Sequence, residues 1–86
     1  MDWTVDFTIR AEKQFSKIDK AWQKKITEYL QKKVRLDPTA FGKSLTNELK
    51  GLWRYRVGDY HIICEVQNKQ LTVLVVDVGH RKNVYD

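Results

Sequence analysis

The sequence predicts an α+β fold of element order β-α-α-β-β-β, an antiparallel sheet with two helices packed on one face. Three observations carry that prediction. Two runs of alternating parity meet at Gly58-Asp59, the mark of a β-hairpin. Upstream, apolar residues recur at helical spacing in two consecutive stripes, Ala11, Phe15, Ile18 and then Trp22, Ile26, Tyr29, Leu30, Val34. Downstream, Leu71 to Val78 is apolar on both parities, as a central strand covered on both faces would be. Helices and strands segregated along the chain in this way belong to a layered α+β domain.

Taken in order, Trp3, Val5 and Phe7 alternate with Thr4 and Asp6, a short strand with one buried face. Thr8 offers a hydroxyl N-cap to the first helix and Asp19 a carboxylate cap to the second. Asp37-Pro38 ends the second helix, because proline disfavours helical backbone in the residue before it. From Thr39 to Lys50 the pattern weakens, and Phe41, Leu45 and Leu49 fit a connector with one helical turn that reaches the sheet. Gly51 opens the hairpin. A two-residue loop pairs Val57 with Tyr60, Arg56 with His61 and Tyr55 with Ile62, and opposed residues share a face. One face is then Tyr55, Val57, Tyr60 and Ile62, and the other carries Arg54, Arg56 and His61. A second turn at Asn68-Lys69 leads into the last strand, which stops at Gly79. The tail from Gly79 to Asp86 is short, polar and basic, and is expected to fold back beside the arginine-bearing face.

Composition narrows the function classes. With 86 residues, 42% hydrophobic and 31% charged, the chain suits one small two-layer domain rather than a disordered segment. No apolar run approaches the roughly 18 residues of a membrane span, so no membrane partner is expected. No basic region followed by an apolar stretch marks a signal peptide, so a cytoplasmic location is expected. A single cysteine, Cys64, excludes an intramolecular disulfide or a thiolate zinc cluster, and its place in an apolar strand is that of a core thiol. The net charge of +5 makes polyanions plausible partners. Lys13, Lys17, Lys20, Lys24, Lys25, Lys32 and Lys33 lie at helical spacings and read as the wet faces of helices. Arg54, Arg56 and Arg81 lie in strand or strand-end contexts, where side-chain directions are better fixed. His61 and His80 are the two side chains whose unperturbed titration falls near neutrality.

The segments Glu48-Leu49-Lys50-Gly51-Leu52-Trp53-Arg54-Tyr55-Arg56-Val57-Gly58-Asp59-Tyr60 and Val75-Val76-Asp77-Val78-Gly79-His80-Arg81-Lys82-Asn83-Val84-Tyr85 resemble the RelE/ParE superfamily of bacterial toxins. That family reads as a leucine, a basic residue and glycine before an alternating basic strand, then Val-Gly-Asp-Tyr, and closes on Val-Gly-His-Arg and a nearby Val-Tyr. The N-terminal strand and helix pair fit the same layout. The resemblance therefore covers essentially the whole chain and implies one RelE-like toxin domain over residues 1–86, with the RelE-like microbial ribonuclease-type fold.

Resemblance to the RelE branch implies the toxin of a type II toxin–antitoxin system, a ribosome-dependent endoribonuclease that enters the ribosomal A site and cuts mRNA. The ribose 2′-hydroxyl would attack its own 3′ phosphodiester, with no metal or cofactor, and a cognate RelB-like antitoxin would neutralise the toxin. Such chemistry requires a group to take the 2′ proton, cations to hold the developing charge, a group to protonate the leaving 5′ oxygen, and a base held still by stacking. By position the resemblance gives Arg54 and Arg56 basic catalytic or phosphate-binding roles, Arg81 the scissile phosphate and Tyr85 a stacking role. Lys50 and Lys82 join them as RNA-binding residues. Two departures matter: His61 stands where the family commonly has arginine, and neither position 54 nor 56 is lysine. Arginine is a poor general base, so acid–base work falls to His61 or His80. His61 is preferred for its place opposite Arg56, and the alternative is that His61 is a tolerated polar substitute. The ParE branch shares the fold but poisons DNA gyrase and needs no catalytic set. A third reading is an attenuated toxin acting as co-repressor with its antitoxin. Arg54, Arg56, Arg81 and Tyr85 together favour the ribonuclease. In each case the antitoxin is expected to cover the Arg54–Arg56–Arg81 face or displace Tyr85.

Overall fold

The computed structural model describes residues 2–45 and 51–80. Through them the chain runs β1 (Thr4–Phe7), α1 (Ile9–Ser16), α2 (Lys20–Tyr29), β2 (Lys43–Ser44), β3 (Leu52–Val57), β4 (Tyr60–Gln67) and β5 (Thr72–His80). Both predicted caps are in place. Thr8 Oγ1 accepts from the Ala11 amide at 3.1 Å, and Asp19 Oδ2 from the Ala21 amide at 3.2 Å, satisfying donors that the first turns leave open. Beyond Tyr29 the helix widens over Leu30–Val34 into a π turn, with the Arg35 amide reaching back five residues to Leu30 O at 2.8 Å. The wider turn keeps both Leu30 and Val34 in the core.

The sheet is mixed, in the order β1-β5-β4-β3-β2. This corrects the expectation of an antiparallel sheet. β1 lies parallel to β5, from Thr4 opposite Thr72 to Phe7 opposite Val75, while the remaining pairs are antiparallel. Alternation in Thr4–Phe7 fixes which face is buried but not which neighbour is taken. A parallel neighbour needs a long crossover, which α1, α2 and the hairpin supply. β2 was not expected as a strand. It lies in the connector, where the anticipated helical turn forms earlier, over Pro38–Ala40, and Leu49 falls outside the described residues.

The β3–β4 hairpin has the predicted register: Val57 opposite Tyr60, Arg56 opposite His61, Tyr55 opposite Ile62. Gly58 is at φ +59°, and a Cβ there would run into the ring of Trp22, so the turn is tucked beneath α2. The next turn takes four residues rather than two. A 3₁₀ turn spans Asn68–Gln70, and Leu71 closes it in the left-handed region at φ 48°. β5 then runs past the expected stop, because ladder pairing with β4 continues through Gly79 opposite His61 to His80 opposite Tyr60. The middle strand of the five is β4, and it is β4 that buries residues on both faces, Ile62 and Cys64 on one and His61 and Ile63 on the other. On β5, Val73, Val75 and Val78 are buried, whereas Leu74 and Val76 are half-buried.

Ala11, Ile26, Leu30 and Val34 from the helical layer pack on Tyr55, Ile62, Cys64, Val73, Val75 and Val78. Tyr55 is fully buried and donates from its hydroxyl to Pro38 O at 2.7 Å, while Trp53 Nε1 donates to Phe41 O at 2.6 Å. These two bonds lash the connector to β3. No helix among the described residues is long and apolar enough to cross a membrane.

Burial raises the Cys64 thiol far above its ordinary 9.0. Burial likewise raises the Tyr55 hydroxyl far above 10.0, with smaller contributions from Cys64, Tyr29 and Asp37. Below the unfolded values both states keep these protons, so stability is level. Above them the unfolded chain deprotonates first, and stability falls as pH rises. Unfolding free energies from urea titration are therefore expected to be flat from pH 7 to about 9, then to fall with a slope of about 1.4 kcal/mol per pH unit for each group. Cys64→Ala is expected to delay the onset to about pH 10, the ordinary tyrosine range.

Candidate functional site

The structure gathers Arg54, Arg56 and His61 on the outer face of the sheet, opposite the helices. Cross-strand register sets two adjoining rows: Lys43, Arg54, Ile63 and Asp77 in one, Arg56, His61 and Gly79 in the next. Arg54 is half-buried and Arg56 exposed. Arg56 Nε donates to Gly58 O at 3.2 Å, which holds the guanidinium against its own turn and leaves its two terminal amino groups for another acceptor. His61 is only 8% exposed. Gly79, opposite His61, adds no side chain on that flank.

His80 is not brought to this face. It pairs with Tyr60, whose ring stands 5.6 Å from the His80 ring and 5.6 Å from that of Trp22 on α2. Because the β4–β5 ladder skips Val76, parity on β5 changes there, and His80 follows Val78 to the helix side. Lys50, Arg81, Lys82 and Tyr85 lie outside the described residues.

Lys43 is the residue that sequence reasoning missed. A strand of two residues is too short to show alternation, yet its pairing opposite Arg54 adds a third cation to the same edge of the face. Gly42 makes this possible: it sits at φ +68°, and a Cβ there would collide with Arg54 O. Across the sheet the sign changes, with Asp77 on β5 and Asp6 on β1. The face therefore orients an anion, drawing it toward β2 and β3 and away from β1.

The end of β5 is supported from α1. Past the last β1 pair, Gln14 Oε1 accepts from the Val78 amide at 2.9 Å, and Arg10 lies 3.8 Å from Asp77. Among the described residues no three of His, Cys, Asp and Glu gather closely enough to hold a metal ion. What the face offers chemically is fixed guanidinium and ammonium charge beside an imidazole, suited to binding a phosphodiester and stabilising added negative charge on it.

Residues 5–85 match the family model described as the ParE toxin of the type II toxin–antitoxin system parDE. Toxin RelG of Mycobacterium tuberculosis is 28% identical over 85 residues, which cover 99% of this chain and 98% of RelG. The toxin–antitoxin complex RelBE2 from Mycobacterium tuberculosis holds a chain with TM-score 0.86 and 26% identity, covering 96% of this chain and 95% of that one. The RelB–RelE antitoxin–toxin complex from Methanococcus jannaschii gives TM-score 0.70 and 26% identity, over 94% and 95% of the two chains. The intact Escherichia coli RelBE complex gives TM-score 0.78 at 21% identity, over 91% and 95%, a likeness of fold.

Proposed function

This chain belongs to the ParE toxin family of type II toxin–antitoxin systems, and from that premise we propose that it is a ribosome-dependent mRNA endoribonuclease held in check by a RelB-like antitoxin. The observation that carries the reading is the outer-face cluster of Arg54, Arg56 and His61, joined by Lys43. A gyrase poison has no need of an imidazole set beside paired guanidinium groups.

In the proposed reaction, mRNA in the ribosomal A site lies across β3 and β4. Arg54 and Arg56 grip phosphate oxygens, and Arg81 takes the scissile phosphate through its planar fork. The 2′-hydroxyl attacks the adjacent phosphorus and the 5′ oxygen leaves, giving a 2′,3′-cyclic phosphate and a 5′-hydroxyl. His61 exchanges the proton, Tyr85 stacks on a base, and Lys50 and Lys82 bind flanking phosphates. His80, on the helix side of the sheet, has no part in this arrangement. The RelBE2 complex supports the antitoxin as partner, and we place its contact over the arginine face.

The second reading, a gyrase inhibitor, is favoured by the ParE description of the matching family model. Primer extension on a defined mRNA in a translating extract separates the two. Ribosome-dependent cuts within the coding region, lost with Arg81→Ala, are expected. Intact mRNA together with gyrase-linked DNA breaks would establish the gyrase reading instead, and a blank in both would leave an attenuated toxin that serves as co-repressor.

A further inference from the structure

The chain's positive charge is not confined to the candidate site. Residues 9–35 hold nine of the 16 Lys and Arg but three of the 11 Asp and Glu, a net +6, so the other residues together carry −1 against a total of +5. Arg10 and Arg35 are met by Asp77 and Asp2 from outside the segment, which leaves the lysines of the helical layer, across the sheet from Arg54 and Arg56, as the surplus there. Lys20, Lys24, Lys25, Lys32 and Lys33 on α2 and its extension are all exposed. Spacing along the helix puts Lys20 and Lys24 in one row that passes through Glu28 toward Lys32.

Two acids share this element with the five lysines, Asp19 and the exposed Glu28, and they leave it net positive. Asp19 is engaged as the cap of α2, and among the described residues none of the five lysines forms an ion pair with a carboxylate. Two of the ammonium groups rest on aromatic rings: Lys25 Nζ lies 4.5 Å from the centroid of Trp22, and Lys33 Nζ lies 5.6 Å from that of Tyr29. A merely solvated face asks only that charges be dispersed. Here five lysines lie along one element against Glu28 and the capping Asp19, with two heads held over rings, and that arrangement fits a regularly spaced polyanion.

We propose that the exposed face of α2 is a second RNA-binding surface, which grips the phosphate backbone of double-helical RNA without reading sequence and is independent of the cleavage face. The inference rests on the reading above only in taking RNA rather than DNA as the polyanion. Two faces of one small domain then hold RNA on opposite sides, the sheet engaging a single strand and the helical layer a structured one. Shape and phosphate contact, rather than base contact, are how proteins engage an RNA duplex.

The test uses the full chain, a fluorescein-labelled RNA hairpin with a stem of about 16 base pairs, and the DNA duplex of the same sequence. Binding is followed by anisotropy across a salt series. The variant Lys20→Gln/Lys24→Gln/Lys32→Gln leaves the ring-packed lysines alone, and an unchanged thermal melt shows that it folds. The expected result is that wild type binds the hairpin, and that the triple variant lowers the slope of log K against log salt by about 2 to 3 and weakens binding by at least roughly tenfold. Wild-type slope and affinity in the triple variant would overturn the proposal, as would no binding of the hairpin by wild type. DNA bound in place of RNA, and lost with the same three lysines, would overturn the assignment to RNA. No ribosome is present, so a blank here sinks this surface and leaves the cleavage reading standing, while intact mRNA in the translating extract does the reverse.

Discussion

Replacing Arg54 and Arg56 together by alanine is expected to lower ribosome-dependent mRNA cleavage by about 100- to 1,000-fold, the effect of removing preorganised donors from a developing oxyanion. The fold should survive, because Arg56 is exposed and Arg54 only half-buried on the outer face, away from the core. Arg54→Lys/Arg56→Lys keeps the charge but loses the planar fork, so an intermediate rate is expected if bidentate grip matters. Primer extension on the same message reads all three proteins. Cleavage at the wild-type rate by the double-alanine variant would remove both arginines from the site.

Tyr55→Ala is expected to destabilise the fold by about 3–5 kcal/mol, the range for deleting a large buried aromatic side chain. Its ring is fully buried beside Ile62 and Cys64, and its hydroxyl holds Pro38 O. Tyr55→Phe keeps the ring and leaves that carbonyl without its partner, for an expected cost of about 1–3 kcal/mol. Urea unfolding followed by circular dichroism measures both. Because the same side chain fastens the connector that brings Lys43 beside Arg54, Tyr55→Phe should also loosen the basic edge of the face. A loss of less than about 0.5 kcal/mol in Tyr55→Phe would mean that the Pro38 contact contributes nothing.

The hairpin, its register and its two faces were legible because a two-residue loop leaves one way to pair Arg56 with His61 once alternation is known. Both helix caps were legible for a similar reason, since the capping side chains act within three residues. What could not be read was set by distant partners. Which edge β1 joins depends on β5, far along the chain, and the two-residue β2 exists only because Trp53 and Tyr55 tether the connector. The side taken by His80 turned on a register shift in the β4–β5 ladder, where Ile63 stands opposite Asp77 but Cys64 opposite Val75, skipping Val76. That one extra residue exchanges the faces beyond it, so Val78 and His80, rather than Asp77 and Gly79, share the side of Val75.

The parallel pairing of β1 with β5 has a consequence for how the protein comes off its own ribosome. β1 is the edge strand, and its one neighbour in the sheet is β5, so Thr4 waits for Thr72. At about 5–20 residues per second of synthesis, the first strand stays unpaired for several seconds. Helices and hairpin can form during that interval, but the sheet is closed only when β5 emerges. The face that carries Arg54 and Arg56 therefore lacks its β5 flank until residues 72–80 have been made.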